Sequence, residues 1–479
     1  VANQEIENKL SELFRTWSGT DLNTITELPS SGSYRRYYRI CSKSTSVIGA
    51  FNNDIRENQA FFTFTKHFFR NKLNVPEIYK IADDQQIYLL QDLGNTTLFG
   101  WLTEKRKEES FSSSIIETYK KVISALPLFQ IKYSKDLDYS VCYPRAMFDK
   151  QSMLWDLSYF KYYFLKLSQI AFDEQKLEDD FQTLSNYLLQ TDCNNFLYRD
   201  FQSRNIMLFN NTPYFIDYQG GRKGALQYDI ASLLYDAKAD IPQETKNMLL
   251  DFYMDTVSQY INIDRKKFSE LYYGYVLIRI MQALGAYGFR GFYEKKEHFL
   301  QSIPYALDNL KWLLNNTSLP INIPTLKNLL EKLTLSEKLY NLGKHENKLT
   351  VAINSFSFKK GMPDDNSGNG GGFVFDCRAL NNPGRYDELK QLTGKDKEVI
   401  EFLQREPEIY EFMNHVYGLV DKTIENYISR KFSHLMISFG CTGGQHRSVF
   451  CANMLYEHIN QKFKIKTTLT HRELNNIKA

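Results

Sequence analysis

Phe196-Leu197-Tyr198-Arg199-Asp200-Phe201-Gln202-Ser203-Arg204-Asn205-Ile206-Met207-Leu208, followed by Tyr214-Phe215-Ile216-Asp217-Tyr218-Gln219-Gly220-Gly221, brings three polar groups into one short region. Asp200 precedes Asn205 within a loop, and Asp217 ends a strand-like run. Upstream, from about Phe111 to Leu189, the pattern is helical. Further upstream lie short β-rich runs, YRRYYRI (34–40), TSVIGAF (45–51) and QIYLLQDL (86–93). A helical stretch, about Arg56 to Phe69, separates the second run from the third. Downstream, helices continue to about Leu314. The richest apolar part, Gly274 to Phe289, contains Arg279 and reads as a buried helix. A β-rich small lobe before a helical large lobe, with a polar loop deep in the second, predicts a two-lobed α+β domain.

The three polar groups suit phosphoryl transfer. A carboxylate positions an attacking hydroxyl and accepts its proton, while an amide oxygen and a second carboxylate hold Mg²⁺ on nucleotide phosphates. Asp200 is the candidate base; Asn205 and Asp217 are the candidate metal ligands. Each alone reads equally well as a turn or strand-end residue.

NNTSLPINIP (315–324) reads as a connector, and a helix-like stretch, about Thr325 to Leu342, follows. A second pattern begins at KLTVAINSFSFKKG (348–361). It passes through a Gly/Asp/Asn-rich loop, the strand-like FVFDCRAL (373–380), helices over about 395–429, the strand-like LMISFG (435–440) and a final helix from about Gln445 to Phe463. The expected organisation is a two-lobed domain at 1–320, a helical linker at 321–348 and a separate α/β domain at 349–479. Within the latter, Cys441-Thr442-Gly443-Gly444-Gln445-His446-Arg447-Ser448 joins a strand to a helix. Loop amides and a helix N-terminus make an anion site. Arg447 adds a bidentate contact and His446 a proton-dependent one. The C-x5-R spacing also matches thiolate phosphatases, in which Cys441 would attack phosphorus.

FLYRDFQSRNIML, YFIDYQGG and GALQYDIASLLYD (224–236) together resemble the aminoglycoside phosphotransferase-like kinase family. Within it, the chain is most similar to the kinases of the anomeric hydroxyl of N-acetylmuramic acid and N-acetylglucosamine. The resemblance covers about Asn3 to Asn316 and implies a protein-kinase-like fold, ATP and Mg²⁺ as cofactors and an amino sugar as acceptor. It makes Asp229 a structural buttress. SSGSYRRYYRI (30–40) resembles the family's phosphate-covering turn, with Gly32 and Ser33 at the phosphates. The family's strand Lys is missing from TSVIGAF, so Glu57 lacks its usual partner; Arg35, Arg36 or Arg39 is the candidate replacement. The motif His is replaced by Tyr198. The resemblance puts the hinge at Asp92 to Gly94, where the backbone would bond adenine. In AMFDKQSMLWDLSYF (146–160), Asp149 and Asp156 are candidate sugar ligands, with Trp155 or Phe160 as a stacking ring.

VAINSFSFKKGMP, FVFDCRALNNP, LTGKDKEVIEFL, the Cys441 loop and THREL resemble the C-terminal domain of RapZ-type RNase adaptors. This implies an anion pocket at Cys441, Thr442, Gly443, Gly444, His446 and Arg447. Asp376, Arg378 and Asn382 line or brace it, and glucosamine-6-phosphate and a small regulatory RNA are the family's ligands. The family's usual P-loop domain is absent. A basic tail from Gln461 reads as a solvated face.

A net charge of +3, from 59 basic and 56 acidic residues, excludes a nucleic-acid assignment from bulk charge alone. Six scattered cysteines fit a reducing cytosolic compartment. No apolar run reaches the length of a membrane span, and the polar, helix-like start does not read as a signal peptide. The leading expectation is a sugar kinase fused to a sugar-phosphate-binding domain. The alternatives are an adaptor or sensor with a degenerate kinase half, and a kinase with Cys441-dependent phosphatase activity.

Overall fold

The structure, a computed structural model, describes residues 3–29, 35–107, 111–342, 349–365, 371–430 and 432–474. Gly32 and Ser33 lie outside the described residues. The chain divides into two compact units, Val1–Lys344 and His345–Ala479.

The first unit opens with helix α1 (Asn3–Ser18). An antiparallel five-stranded sheet follows, formed by β1 (Thr24–Glu27), β2 (Arg36–Cys41), β3 (Ser46–Phe51), β4 (Ile78–Ile81) and β5 (Ile87–Gln91), in the order β1-β2-β3-β5-β4. Strand alternation sorts the arginine-rich run by face. Tyr38 and Ile40 pack with Ile6, Leu10 and Phe14 of α1, so Arg36 shares the α1 face. Tyr37 and Arg39 take the opposite face. Helix α1 sits so close to β3 that a Cβ on Gly49 would lie 2.6 Å from Leu10 Cδ2.

Between β3 and β4 runs α2 (Ile55–Arg70). Asp54 caps it, accepting from the Arg56 and Glu57 N–H groups. Phe61, Phe64 and Phe68, at helical spacing, bury its inner face in the main core. After β5 the chain passes into α3 (Leu98–Lys105) and the helical lobe. There Arg265–Gly288 packs against helices Lys150–Phe160, Leu226–Leu234 and Ile303–Asn316. Two short antiparallel pairs, β6 (Asn195–Leu197) with β9 (Arg222–Gly224) and β7 (Ile206–Phe209) with β8 (Thr212–Phe215), frame the loop from Tyr198 to Asn205.

Of the stretch expected as a helical linker, 343–348 lie outside the described residues, and the rest carries helices Pro324–Thr334 and Glu337–Asn341 that do not stand free. Helix Pro324–Thr334 buries Leu326, Leu329, Leu330 and Leu333 in the core of the first unit. Its Leu326 N–H is capped by Asp180 Oδ2 at 2.7 Å. A leucine stripe at 3.6-residue period needs a partner face, and helices Glu174–Leu188 and Ile303–Asn316 supply one.

The second unit is a four-stranded parallel sheet of β10 (Thr350–Ser357), β11 (Gly372–Asp376), β12 (His434–Cys441) and β13 (Lys466–His471), in the order β11-β12-β10-β13. Helices Lys397–Gln404, Pro407–Ser429 and Arg447–Lys462 complete it. Among the described residues all six cysteines are free, and no helix is long and apolar enough to cross a membrane.

Candidate active site and candidate anion loop

The loop between β6 and β7 is built around Asp229. Its buried carboxylate accepts from the Tyr198 N–H at 2.8 Å, the Arg199 N–H at 3.0 Å and Gln130 Nε2 at 2.8 Å. These bonds turn the backbone, and Arg199 adopts a φ of 82°. Asp200 follows with its side chain half-exposed. Asn205 Nδ2 donates to the Asp200 carbonyl at 2.9 Å, which leaves the amide oxygen as the atom available to a cation. The Ile216 N–H donates to the Asn205 carbonyl at 3.1 Å, tying the Asp217 segment to the same loop. Asp217 has a φ of 70°. Burial raises its carboxyl above the usual range, and the neighbouring Asp200 charge raises it further. The three predicted groups therefore meet at one place, and two carboxylates there repel each other. A hard divalent cation takes carboxylate and amide oxygens and relieves that repulsion, so the donor set fits Mg²⁺. Among the described residues no group of three or more His, Cys, Asp or Glu forms a metal site by itself. A cation here would complete its shell with phosphate oxygens and water.

Tyr198 answers for the replaced His. Its fully buried ring donates from Oη to the Ile216 carbonyl at 2.6 Å, one residue before Asp217. Tyr218, on the other side of Asp217, stacks on Phe61 of α2 with ring centroids 5.6 Å apart, and its hydroxyl pairs with Thr65 Oγ1 at 2.7 Å.

Arg35 stands where the strand Lys is missing. It precedes β2 on the Tyr37 face, and its Nη2 lies 3.3 Å from Glu57 Oε1. Tyr37 pairs with Ala50 of β3, so this guanidinium enters from the neighbouring strand on the same face as Ala50. Asn52 Nδ2 donates to Glu57 Oε2 at 2.8 Å. Gln219 Nε2 donates to Asp217 Oδ1 at 2.7 Å and to Glu57 Oε1 at 3.4 Å. A continuous polar path thus runs from Arg35 through Glu57 and Gln219 to Asp217. Sequence reading missed Gln219; its place two residues after Asp217 is the signal that was there to use.

The other two arginines are not brought to this path. Arg36 pairs with Glu27 at 2.8 Å on the α1 face. Arg39 holds the Asp92–Asn95 segment, where the hinge was expected: Nε and Nη2 grip the Asp92 carboxylate at 2.7 and 2.9 Å, Nη1 reaches Asn95 Oδ1 at 2.7 Å, and Nη2 reaches the Gly94 carbonyl at 3.2 Å. Gly94 N–H donates back to Asp92 Oδ1 at 2.9 Å.

The residues expected at the sugar are already engaged. Asp156 forms a bidentate pair with Arg199 at 2.8 and 2.6 Å, and Arg199 also donates to Tyr228 Oη at 2.7 Å. This pair buttresses the loop from Tyr198 to Asn205. Asp149 caps helix Lys150–Phe160 through the Ser152 N–H and pairs with Arg145. Phe160 is fully buried and stacked on Phe164, so it cannot stack on a ligand. Trp155 is exposed, with Arg145 over its ring at 5.7 Å.

In the second unit, the segment from Cys441 to Arg447 links β12 to helix Arg447–Lys462. Gly444 has a φ of 71°, and a Cβ there would lie 2.8 Å from the Ser357 nitrogen, so only glycine fits. Cys441 Sγ accepts from the Gly444 N–H at 3.1 Å and lies 3.2 Å from Ser448 Oγ. The Thr442 carbonyl accepts from Ser357 Oγ at 2.7 Å, and Gln445 Nε2 donates to the Leu392 carbonyl at 2.6 Å. Gly443 has open space where a Cβ would be. His446 is buried, with Nε2 at 3.0 Å from the Leu389 carbonyl, and burial lowers its pKa. Arg447 is buried. Its Nη1 donates to the Arg378 and Leu380 carbonyls at 2.9 and 2.8 Å, while Nε is buried without a hydrogen-bond partner among the described residues. The buried Arg447 guanidinium hydrogen-bonds neutral carbonyls and helps lower the nearby Asp376 carboxyl, and its unpartnered Nε lies beside a helix end lacking a side-chain cap, an arrangement that suits an anion. The Arg378 side chain itself is exposed and paired with Asp376; only its carbonyl touches Arg447. Sequence reading passed over Lys360 and Glu473, which pair at 2.7 Å, with the Glu473 Cγ 2.4 Å from where a Gly444 Cβ would be.

Residues 349–475 match the family model of the RapZ C-terminal domain. A nucleotide-binding protein of Clostridium botulinum (strain Hall) is 41% identical over 130 residues, covering 27% of this chain and 42% of that protein. One from Idiomarina loihiensis is 41% identical over 133 residues, covering 28% of this chain and 45% of that protein. The chain spans less than half the length of these curated relatives. Among solved structures, choline kinase LicA from Streptococcus pneumoniae matches with a TM-score of 0.46 and 13% identity, covering 65% of this chain and 99% of that one. Spectinomycin phosphotransferase APH(9)-Ia, solved with ADP and spectinomycin, matches with a TM-score of 0.43 and 13% identity, covering 69% and 98%. The chain joins a unit built of a five-stranded antiparallel sheet and a helical lobe to a segment that matches the RapZ C-terminal domain family.

Proposed function

We propose that the first unit is an ATP- and Mg²⁺-dependent phosphotransferase acting on a hydroxyl of a small molecule, with an amino sugar as the acceptor class. The observation that carries this reading is the meeting of Asp200, Asn205 and Asp217 on one braced loop. Asp200 orients the acceptor hydroxyl and takes its proton, a contribution worth roughly 10²–10⁴ in rate. Asn205 and Asp217 would hold the Mg²⁺, which when bound neutralises phosphate charge. Arg35, fixed by Glu57, supplies positive charge to the phosphates in place of the strand Lys. The Arg39–Asp92 grip shapes the hinge whose backbone would meet adenine. An intact trio speaks against a degenerate kinase half. The test is ADP release from ATP and Mg²⁺ over a panel of amino sugars and aminoglycosides. Acceptor-dependent ADP release supports the reading; its absence across the panel, with Mg-ATP bound, argues for a sensor.

The second unit binds a phosphorylated sugar or related anion at the loop from Cys441 to Arg447, an assignment supported by the orphaned Arg447 Nε. A second reading, phosphatase chemistry, is favoured by the Gly444 N–H and Ser448 hydroxyl at the Cys441 sulfur, both suited to holding a thiolate. Hydrolysis of a chromogenic phosphate ester that is lost in Cys441→Ser would support it.

A further inference from the structure

Gln219 joins α2 to the segment that follows β8. It lies two residues past Asp217, in a turn closed by the Gly221 N–H donating to the Tyr218 carbonyl at 2.9 Å. Tyr218 is held in the core against Phe61 and Thr65 of α2, so the backbone beneath Gln219 is fixed. From this base the buried side chain reaches between two carboxylates. Its Nε2 donates to Asp217 Oδ1 at 2.7 Å and to Glu57 Oε1 at 3.4 Å. An amide nitrogen carries two hydrogens, and each is spent on one carboxylate. The reverse orientation would turn the amide oxygen toward two anions, so charge fixes the donor role.

Three observations give this amide a task beyond packing. Among the described residues it is the only group hydrogen-bonded to the Asp217 carboxylate, and it takes Oδ1, which leaves Oδ2 without a protein donor. Glu57 is itself held, by Arg35 at 3.3 Å and by Asn52 at 2.8 Å, so its carboxylate is a firm anchor. Finally, Gln219 Oε1 is buried with no hydrogen-bond partner among the described residues. Burying an unmet acceptor is costly, and an apolar side chain of the same length would avoid that cost. The position therefore answers a demand for two donors rather than for buried volume. A partner that orients a metal-binding carboxylate in this way typically changes metal affinity or activity by about 10–100-fold when it is lost.

We propose that Gln219 is a positioning residue: its amide ties Asp217 Oδ1 to Glu57 Oε1, aims Oδ2 at the cation, and sets that cation relative to the Arg35 guanidinium. Phosphates held by both are then gripped only when the two are in register. This rests on the phosphotransferase reading, which supplies the cation and the phosphates.

The test compares ATP affinity in Mg²⁺ and in EDTA, by calorimetry on the full chain, for the wild type, Gln219→Met and Gln219→Asn. Methionine keeps the length and removes the donors; asparagine keeps the amide but is one methylene too short to reach both carboxylates. Both variants should bind metal-free ATP as the wild type does, which also reports that they are folded. The gain in affinity that Mg²⁺ brings should fall about tenfold or more in each, and kcat for ADP release should fall by a similar factor with KM for the acceptor unchanged. In a Glu57→Gln background, where the charged anchor is gone, Gln219→Met should cost less of that gain. An undiminished Mg²⁺ gain in either variant overturns the role, and so does an equal loss in the wild-type and Glu57→Gln backgrounds. A wild type whose ATP affinity ignores Mg²⁺ overturns the metal assignment and this role together. Loss of the Mg²⁺ gain in the variants, with no ADP release by the wild type on any acceptor, upholds the role of Gln219 and counts against the transferase reading instead.

Discussion

Replacing Tyr198 by Phe removes one oxygen atom and tests how Asp217 is positioned. Tyr198 is fully buried, and its hydroxyl donates to the Ile216 carbonyl at 2.6 Å. A hydrogen bond of this kind nets about 0.5–1.5 kcal/mol, and an acceptor left unpaired away from water costs about 1–3 kcal/mol. Ile216 is only half-buried, so water recovers part of that cost, and we expect a loss of about 1–2 kcal/mol in stability. The effect on turnover should be larger than on nucleotide binding. The same residue donates its N–H, from the preceding peptide unit, to the Asn205 carbonyl, so a shift at Ile216 moves both proposed metal ligands. A misplacement of ~1 Å in a reacting geometry can cost about 10² in rate. A relaxation of a few tenths of an ångström should therefore lower kcat by about tenfold. The assay is ADP release at saturating acceptor, with KM for ATP measured alongside and stability read by urea unfolding. The reasoning is refuted if Tyr198→Phe keeps wild-type kcat and wild-type stability, because the hydroxyl would then be a passenger in an aromatic cluster.

Two further outcomes follow from the same geometry. Arg35→Ala should weaken Mg-ATP binding by about tenfold or more, since a guanidinium contact to phosphate and the Glu57 pairing are lost together, whereas Arg36→Ala, on the opposite sheet face, should leave it unchanged; equal effects in a calorimetric titration would contradict the face assignment. In the second unit, burial first and the Lys395 charge second hold His471 down to about 4, with Nδ1 at 2.9 Å from Ser355 Oγ and Nε2 at 3.2 Å from Asn453 Oδ1. A His whose folded-state pKa lies below its unfolded value contributes stability that is fully present above about pH 6.5 and is lost as pH falls toward 4, by up to about 3 kcal/mol. Hydrogen exchange of β13 should accelerate over that window in the wild type and much less in His471→Gln; a parallel response would remove His471 as the cause.

What could be read from the chain and what could not divides by sequence distance. Asp200, Asn205 and Asp217 sit in one short segment whose spacing is set by a loop and a hairpin, so local pattern was enough to name them together. The Cys441 loop was legible for the same reason: glycine at Gly444 answers a backbone demand that a side chain would violate. The strand alternation that parts Arg35 from Arg36 was also present in the letters, but three arginines in one run do not reveal which of them meets Glu57. That depends on where α1 packs. Arg39–Asp92 and Asp156–Arg199 link residues 53 and 43 positions apart, and no local pattern pairs them, which is why Asp156 read as a free ligand rather than a buttress. The leucine stripe of Pro324–Thr334 announced a helix, yet only its packing shows that it completes the first unit.

The most direct test of the central claim is Mg²⁺-dependent ADP formation by the full chain carrying Asp200→Ala, with Mg-ATP affinity measured on the same sample. Turnover reduced by roughly 10²–10⁴ with nucleotide affinity retained is the outcome expected if Asp200 serves as the base. Turnover equal to the wild type at equal nucleotide affinity would contradict it.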